Sequence, residues 1–160
     1  MKTNHRIMFV CHGNICRSPM AQFVFLDMVK KEGREADFVV SSSATSTEEI
    51  YNGIGSPIYP PVKQILKANN IPFADRRAVL LTREDYDNYD LFIGMDSANV
   101  RNMYRIFGGD PRGKIKKLME FTNNATDVSD PWYTRRFDLT FDNVSEGCRA
   151  LLKYIDWEEN

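Results

Sequence analysis

Apolar residues along the chain fall into short continuous runs that alternate with longer stretches of helical spacing. Arg6 to Val10 is an apolar run of strand length, and Phe38 to Ser42 and Leu91 to Met95 read the same way. Ile115 to Leu118 is a weaker fourth run. Between them lie helix-like segments. Ser18 supplies an N-cap and Pro19 suits the first helical position of a helix running to about Lys31, where Gly33 is a stop signal. Its apolar residues Met20, Phe23, Val24, Phe25, Leu26, Met28 and Val29 cover more than one stripe, which implies a heavily buried helix. Val62, Ile65 and Leu66 mark a helix ending near Asn70, and Thr82 to Asn88 suggests one short helical turn. Asp96 caps a helix with Val100, Met103, Tyr104 and Phe107 on its apolar face. The last helix carries Phe141, Val144, Cys148, Leu151, Leu152 and Ile155, a helical period. Segments 43–61 and 123–138 read as polar loops, the second with an aromatic pair inside it. Alternating strands and helices predict an α/β fold: one doubly wound domain spanning 1–160, with a four-stranded parallel sheet and helices on both faces.

Composition narrows the function. The 160 residues include 21 Lys and Arg against 22 Asp and Glu, a net charge of −1. That balance argues against a strongly basic nucleic-acid binder. No apolar run reaches the ~18 residues of a membrane span, and Met1 to Phe9 does not read as a secretory signal. Three cysteines, Cys11, Cys16 and Cys148, are too few and odd in number for a disulfide framework, which points to a reducing, cytoplasmic setting. With only His5 and His12 beside them, they make no metal-ligand pattern.

The informative segment is Val10-Cys11-His12-Gly13-Asn14-Ile15-Cys16-Arg17-Ser18-Pro19. It joins the carboxyl end of a predicted strand to the amino end of a predicted helix, where open α/β sheets bind ligands. The helix start offers unpaired N–H groups and partial positive charge to a phosphate. Gly13 permits a tight turn, and Arg17 adds a planar fork of donors. Five residues separate Cys11 from Arg17, so a loop curled around one tetrahedral anion holds the sulfur at its floor. Such surroundings favour thiolate over thiol and make Cys11 a candidate nucleophile. A buried cysteine in a glycine loop beside a surface arginine is the competing reading of the same spacing.

This segment closely resembles the phosphate loop of the low-molecular-weight protein tyrosine phosphatase family, with His12 where Leu is usual. The resemblance extends over essentially the whole chain, through Ser43-Ala44-Thr45, Met95-Asp96 with Asn99, and Asp130-Pro131-Trp132-Tyr133. It implies hydrolysis of phosphotyrosine or other aryl phosphate monoesters through a phosphocysteine at Cys11. Arg17 would bind phosphate, and Asp130 would act as general acid and then general base. Ser18 would donate to the Cys11 thiolate, and Asn14 would hold the loop's shape. His12, Gly13, Ile15 and Cys16 complete the loop, and Cys16 is a candidate for reversible pairing with Cys11 under oxidation. Cys148, on an apolar helix face, reads as core. The implied partners are a phosphotyrosine protein or a small phosphomonoester; no cofactor, metal or nucleic acid is implied, and a monomer is favoured.

Some positions depart from the family. Members often carry a Trp after the second strand as a cleft wall; here Glu48 stands roughly at that place, and Tyr51 is a candidate substitute. Trp132 and Tyr133 are expected as the other walls. Glu48 and Glu49 at the rim disfavour acidic substrates, and the Ser-Thr-Glu-Glu loop is similar to bacterial members. Eukaryotic members support the loop's Asn with a His, which the stretch Ala74 to Ala78 lacks, so that support must differ. Two other readings remain. One is arsenate reduction on the same fold, although no cysteine lies between Cys16 and Cys148. The other is a silent phosphotyrosine reader, which would be expected to have lost Cys11 or Asp130.

Overall fold

The structure, a computed structural model, describes residues 4–159; Met1–Thr3, where the reading of the N-terminus begins, and Asn160 lie outside it. Strand β1 (His5–Cys11) forms the middle of the sheet. It pairs in parallel with β2 (Phe38–Ala44) on one side and β5 (Leu91–Gly94) on the other, and β6 (Ile115–Lys117) extends the sheet beyond β5. The order β2-β1-β5-β6, all parallel among the described residues, requires crossover helices, and these cover both faces. Alternation along β1 divides the core. Ile7 and Phe9 face the cluster shared with α1 (Arg17–Lys31) and α5 (Phe137–Glu159), while Met8 and Val10 face Phe92, Met103 and Phe107. The predicted four-stranded α/β architecture is therefore present.

Three local expectations are corrected. Ser18 does not cap α1: Cys16 takes the N-cap position and Pro19 sits in the third helical position, where its missing N–H is still one the helix leaves unpaired. The segment expected as a loop after β2 contains a small antiparallel hairpin, β3 (Ile50–Tyr51) and β4 (Ile54–Gly55). Asn52 and Gly53 turn it, both at positive φ, as a two-residue hairpin loop demands. The second polar loop contains a one-turn helix, α4 (Pro131–Thr134), and α5 starts at Phe137, inside the span read as loop. The segment at Thr82 to Asn88 is a 3₁₀ turn, Arg83–Asn88, opened by a Thr82–Asp85 capping box. Helix α2 (Pro60–Ala68) and α3 (Ser97–Phe107) lie where expected, and Gly108 ends α3 in the left-handed conformation. No described helix is long and apolar enough to cross a membrane.

Candidate active site

The carboxyl ends of β1, β2 and β5 and the amino ends of α1, α3 and α4 converge on one hollow of about 590 Å³. Its floor is the loop from Cys11 to Arg17. The carbonyls of this loop are committed outward. Cys11 O accepts from Thr45 N (3.0 Å), His12 O from Ser46 N (3.1 Å), and Ile15 O from Tyr59 N (3.0 Å). Cys16 O accepts from Met20 N within α1, and Asn14 O from Arg76. In a planar trans peptide the following N–H points opposite to the carbonyl. The amides of His12, Gly13, Ile15, Cys16 and Arg17 are thus turned the other way, a concave set of donors suited to an anion. A Cβ at Gly13 would sit 3.2 Å from Glu49 Cγ, so a larger residue there would press on the Glu49 side chain by a few tenths of an ångström.

Cys11 Sγ lies at the base, 3.0 Å from Ser18 Oγ, and accepts from Asn14 N at 3.2 Å. Asn14 Nδ2 donates to Ser18 Oγ (2.8 Å), so the serine's own proton is free for the sulfur. Asn14 is buried, at φ 60°, and its Oδ1 accepts from Val79 N (3.0 Å) and from the Arg76 guanidinium. Asparagine tolerates that conformation better than other residues with a Cβ. The missing histidine support is thus replaced by Arg76. No sequence signal links it to Asn14, because the two stand 62 positions apart.

Arg17 is only 5% exposed. Its Nη1 donates to Asp96 Oδ2 (2.9 Å) and Val128 O (3.2 Å), and its Nη2 lies 3.6 Å from Asp130 Oδ2. Burial works against the charged guanidinium, but the negative charges of Cys11, Asp96 and Asp130 outweigh it and hold Arg17 above its ordinary range. Asp96 also caps α3, where its Oδ1 accepts from Asn99 N (2.8 Å). Asp130 likewise caps α4 through Trp132 N (3.0 Å). Burial, aided by the negative charges of Cys11, Asp130 and Glu49, pushes the Cys16 thiol up to about 12 against the pull of Arg17. Cys148 is fully buried in the core and is also pushed up by burial.

The walls come from three segments. Trp132 and Tyr133 rise from α4, with Trp132 leaning on Tyr59 at 4.9 Å between ring centres and Tyr133 87% exposed. His12 and Glu48, whose Nε2 and Oε2 are 2.6 Å apart, also line the hollow, as does Glu49. Asn99 and Asn102 of α3 complete it; the sequence reading missed them as lining residues, although the Asp96 cap located their helix. Tyr51 is not among the lining residues: the hairpin carries it outward, 62% exposed, so the His12–Glu48 pair stands in the wall instead. A second hollow of about 780 Å³ lies between β6 and the end of α5, lined by Lys116, Arg149 and Trp157 among others, but it contains no cysteine or histidine.

The chain is similar to known proteins over nearly its whole length. The model of the family described as "Low molecular weight phosphotyrosine protein phosphatase" matches residues 6–160. The chain is 32% identical over 155 residues to low molecular weight protein-tyrosine-phosphatase YfkJ of Bacillus subtilis, covering 96% of this chain and 97% of that one. It is 36% identical over 155 residues to PtpA of Staphylococcus aureus, covering 96% of each. The crystal structure of YfkJ superposes with a TM-score of 0.91 at 31% identity, covering 98% of both chains. That of a Streptococcus pyogenes low molecular weight protein tyrosine phosphatase gives 0.82 at 34% identity, with 98% of both covered.

Proposed function

The chain belongs to the low molecular weight phosphotyrosine protein phosphatase family, and we propose that it hydrolyses phosphotyrosine and related aryl phosphates in two steps through a phosphocysteine at Cys11. The observation that carries this reading is a sulfur held by Ser18 and Asn14 under a cup of amides, with Arg17 and Asp130 at its mouth.

In the first step Cys11 Sγ attacks phosphorus as the thiolate. The S–P bond forms and the bond from phosphorus to the tyrosyl oxygen breaks. Asp130 delivers its proton to that oxygen, so a neutral phenol leaves. Charge spreads over the three equatorial oxygens, which the loop amides and the Arg17 fork are placed to receive. Asp96 and Val128 hold Arg17 from behind, so little reorganisation is needed. In the second step the Asp130 carboxylate takes a proton from water, whose oxygen attacks phosphorus. The S–P bond breaks, and the returning thiolate is met by the Ser18 hydroxyl and Asn14 N–H. A phenyl ring fits among Trp132, Tyr133, His12 and Glu48, which line the hollow. The free thiols suit a reducing compartment.

The test is phosphate release from p-nitrophenyl phosphate and from a phosphotyrosine peptide, with EDTA present, for wild type and Cys11→Ser. Activity that survives EDTA and vanishes in the variant, while the variant still binds the peptide, is expected. Hydrolysis by Cys11→Ser at the wild-type rate would refute the nucleophile.

A further inference from the structure

Arg76 is a cation whose charge the reaction above does not use. It lies on the segment between α2 and the 3₁₀ turn, half-buried against the outer side of the phosphate loop. Its Nη1 donates to Asn14 O at 3.3 Å, and its Nη2 to Asn14 Oδ1 and to Arg77 O. Among the described residues no carboxylate pairs with it; the neighbouring Asp75 pairs with Lys63 instead. Placing a guanidinium part-way out of water against neutral acceptors is costly unless an anion is near. Burial lowers its affinity for the proton, and the opposing influence is the negative charge of Cys11. An arginine stays protonated at any ordinary pH, so the charge is permanent.

We propose that Arg76 is a positioning residue that stabilises the Cys11 thiolate from behind the loop, through Asn14, by its charge as well as by its hydrogen bonds. The path is short: Arg76 grips both Asn14 oxygens, Asn14 N donates to Cys11 Sγ, and Asn14 Nδ2 turns the Ser18 hydroxyl toward the same sulfur. Arg17 serves the sulfur from the front but shares its charge with Asp96 and Asp130. Other charged or titratable groups line the hollow around Cys11. Asp96 comes from the start of α3 and Asp130 from the start of α4; Glu49 and the His12–Glu48 pair come from the rim, and the Cys16 thiol from the loop itself. The carboxylates oppose the thiolate, and Arg76 is the cation on the closed side that offsets them.

The proposal rests on Cys11 being the nucleophile, so the test reads the sulfur directly. Alkylation of Cys11 by iodoacetamide is followed by peptide mass spectrometry from about pH 5 to about pH 9, since only the thiolate reacts. Wild type is compared with Arg76→Gln, Arg76→Met and Arg76→Lys, and with Arg77→Gln, whose guanidinium holds Gly55 O instead. Thermal unfolding monitors each fold. The two uncharged replacements, either of which suffices if the other fails to fold, are expected to slow alkylation on the acid side roughly tenfold. Arg76→Lys is expected within about threefold of wild type, and Arg77→Gln unchanged. Coincident profiles for wild type and the uncharged variants would overturn the proposal. So would equal slowing in Arg77→Gln, or a lysine variant as slow as the glutamine one. An enzyme still active after complete alkylation at Cys11 would instead overturn the nucleophile assignment beneath it.

Discussion

The proposed mechanism gives Asp130 two duties, proton donor and helix cap, that separate substitutions can split. One oxygen accepts from Trp132 N and starts α4; the other faces Arg17 at the mouth of the hollow. Asp130→Ala removes both the proton donor and the cap. Asp130→Asn removes only the proton donor, because asparagine caps helices as well as aspartate does. General acid catalysis is worth about 10²–10⁴-fold, with the larger loss expected for leaving groups that most need a proton. Turnover of phenyl phosphate should therefore fall further than that of p-nitrophenyl phosphate, and by the same factor in both variants. The cap is worth about 1 kcal/mol. In a chain of this length that is a lowering of Tm by roughly 2–4 °C, seen in Asp130→Ala and absent in Asp130→Asn. The upper end is expected because α4 carries Trp132 onto Tyr59 and leads directly into α5. The assay is steady-state kcat and kcat/KM on the two esters beside a thermal melt. Equal losses on both esters, or an asparagine variant at wild-type rates, would refute the acid role. A shared Tm deficit would refute the cap.

Two further predictions concern the scaffold. Asp110 accepts from Tyr86 Oη (2.6 Å), Lys114 N (2.8 Å) and Ile115 N (3.0 Å), pinning the start of β6. Burial pushes its carboxyl up, but the Tyr86 hydroxyl, the two amides and Lys116 together hold it below the usual range. A carboxyl depressed in the folded state adds stability above its unfolded value of about 3.9 and loses it as pH falls through the folded value. Asp110→Asn should cost about 1–2 kcal/mol at neutral pH, a gap in urea midpoint that closes below about pH 4; a gap constant across that range would contradict the assignment. Gly55 is hemmed in: a Cβ there would lie 1.9 Å from Ala78 O, a backbone atom that cannot swing away. Gly55→Ala should shift the hairpin and cost about 1–3 kcal/mol, and a melt unchanged from wild type would show that the hairpin yields freely.

Much of the architecture was legible because its signals are local. The capping sequence at Asp96, the spacing along α5 and the run of β1 each lie within a few turns or one strand. The loop that joins Cys11 to Arg17 between β1 and α1 was readable for the same reason, since it is one short segment. What was misread involves single residues with two possible uses. Ser18 has the chemistry of an N-cap, yet its hydroxyl is taken by Cys11 and Asn14, and a backbone start at Cys16 suffices. Tyr51 was a plausible aromatic wall by composition, but Asn52-Gly53 makes a hairpin of its neighbourhood and turns it outward. Two-residue strands carry too little alternation to be seen, although the Asn-Gly pair itself was a usable signal. Arg76 and Asp96 reach the loop from 62 and 79 positions away, and no periodicity encodes such contacts.

The site's carboxylates show why folding and chemistry are hard to separate here. A helix start needs an acceptor for its first amides, and a bound phosphate needs those same amides together with a guanidinium. Asp96 and Asp130 cap α3 and α4 with one oxygen and turn the other to Arg17. Of the three helices whose amino ends meet at the hollow, α1 carries no such cap, and it has no acidic residue in its first turn. Three helix starts thus surround one space, two closed by carboxylates and one left for an anion. Replacing Asp96 therefore unsettles α3 and Arg17 together, whereas in the proposed mechanism the α1 terminus is completed by the phosphate being turned over.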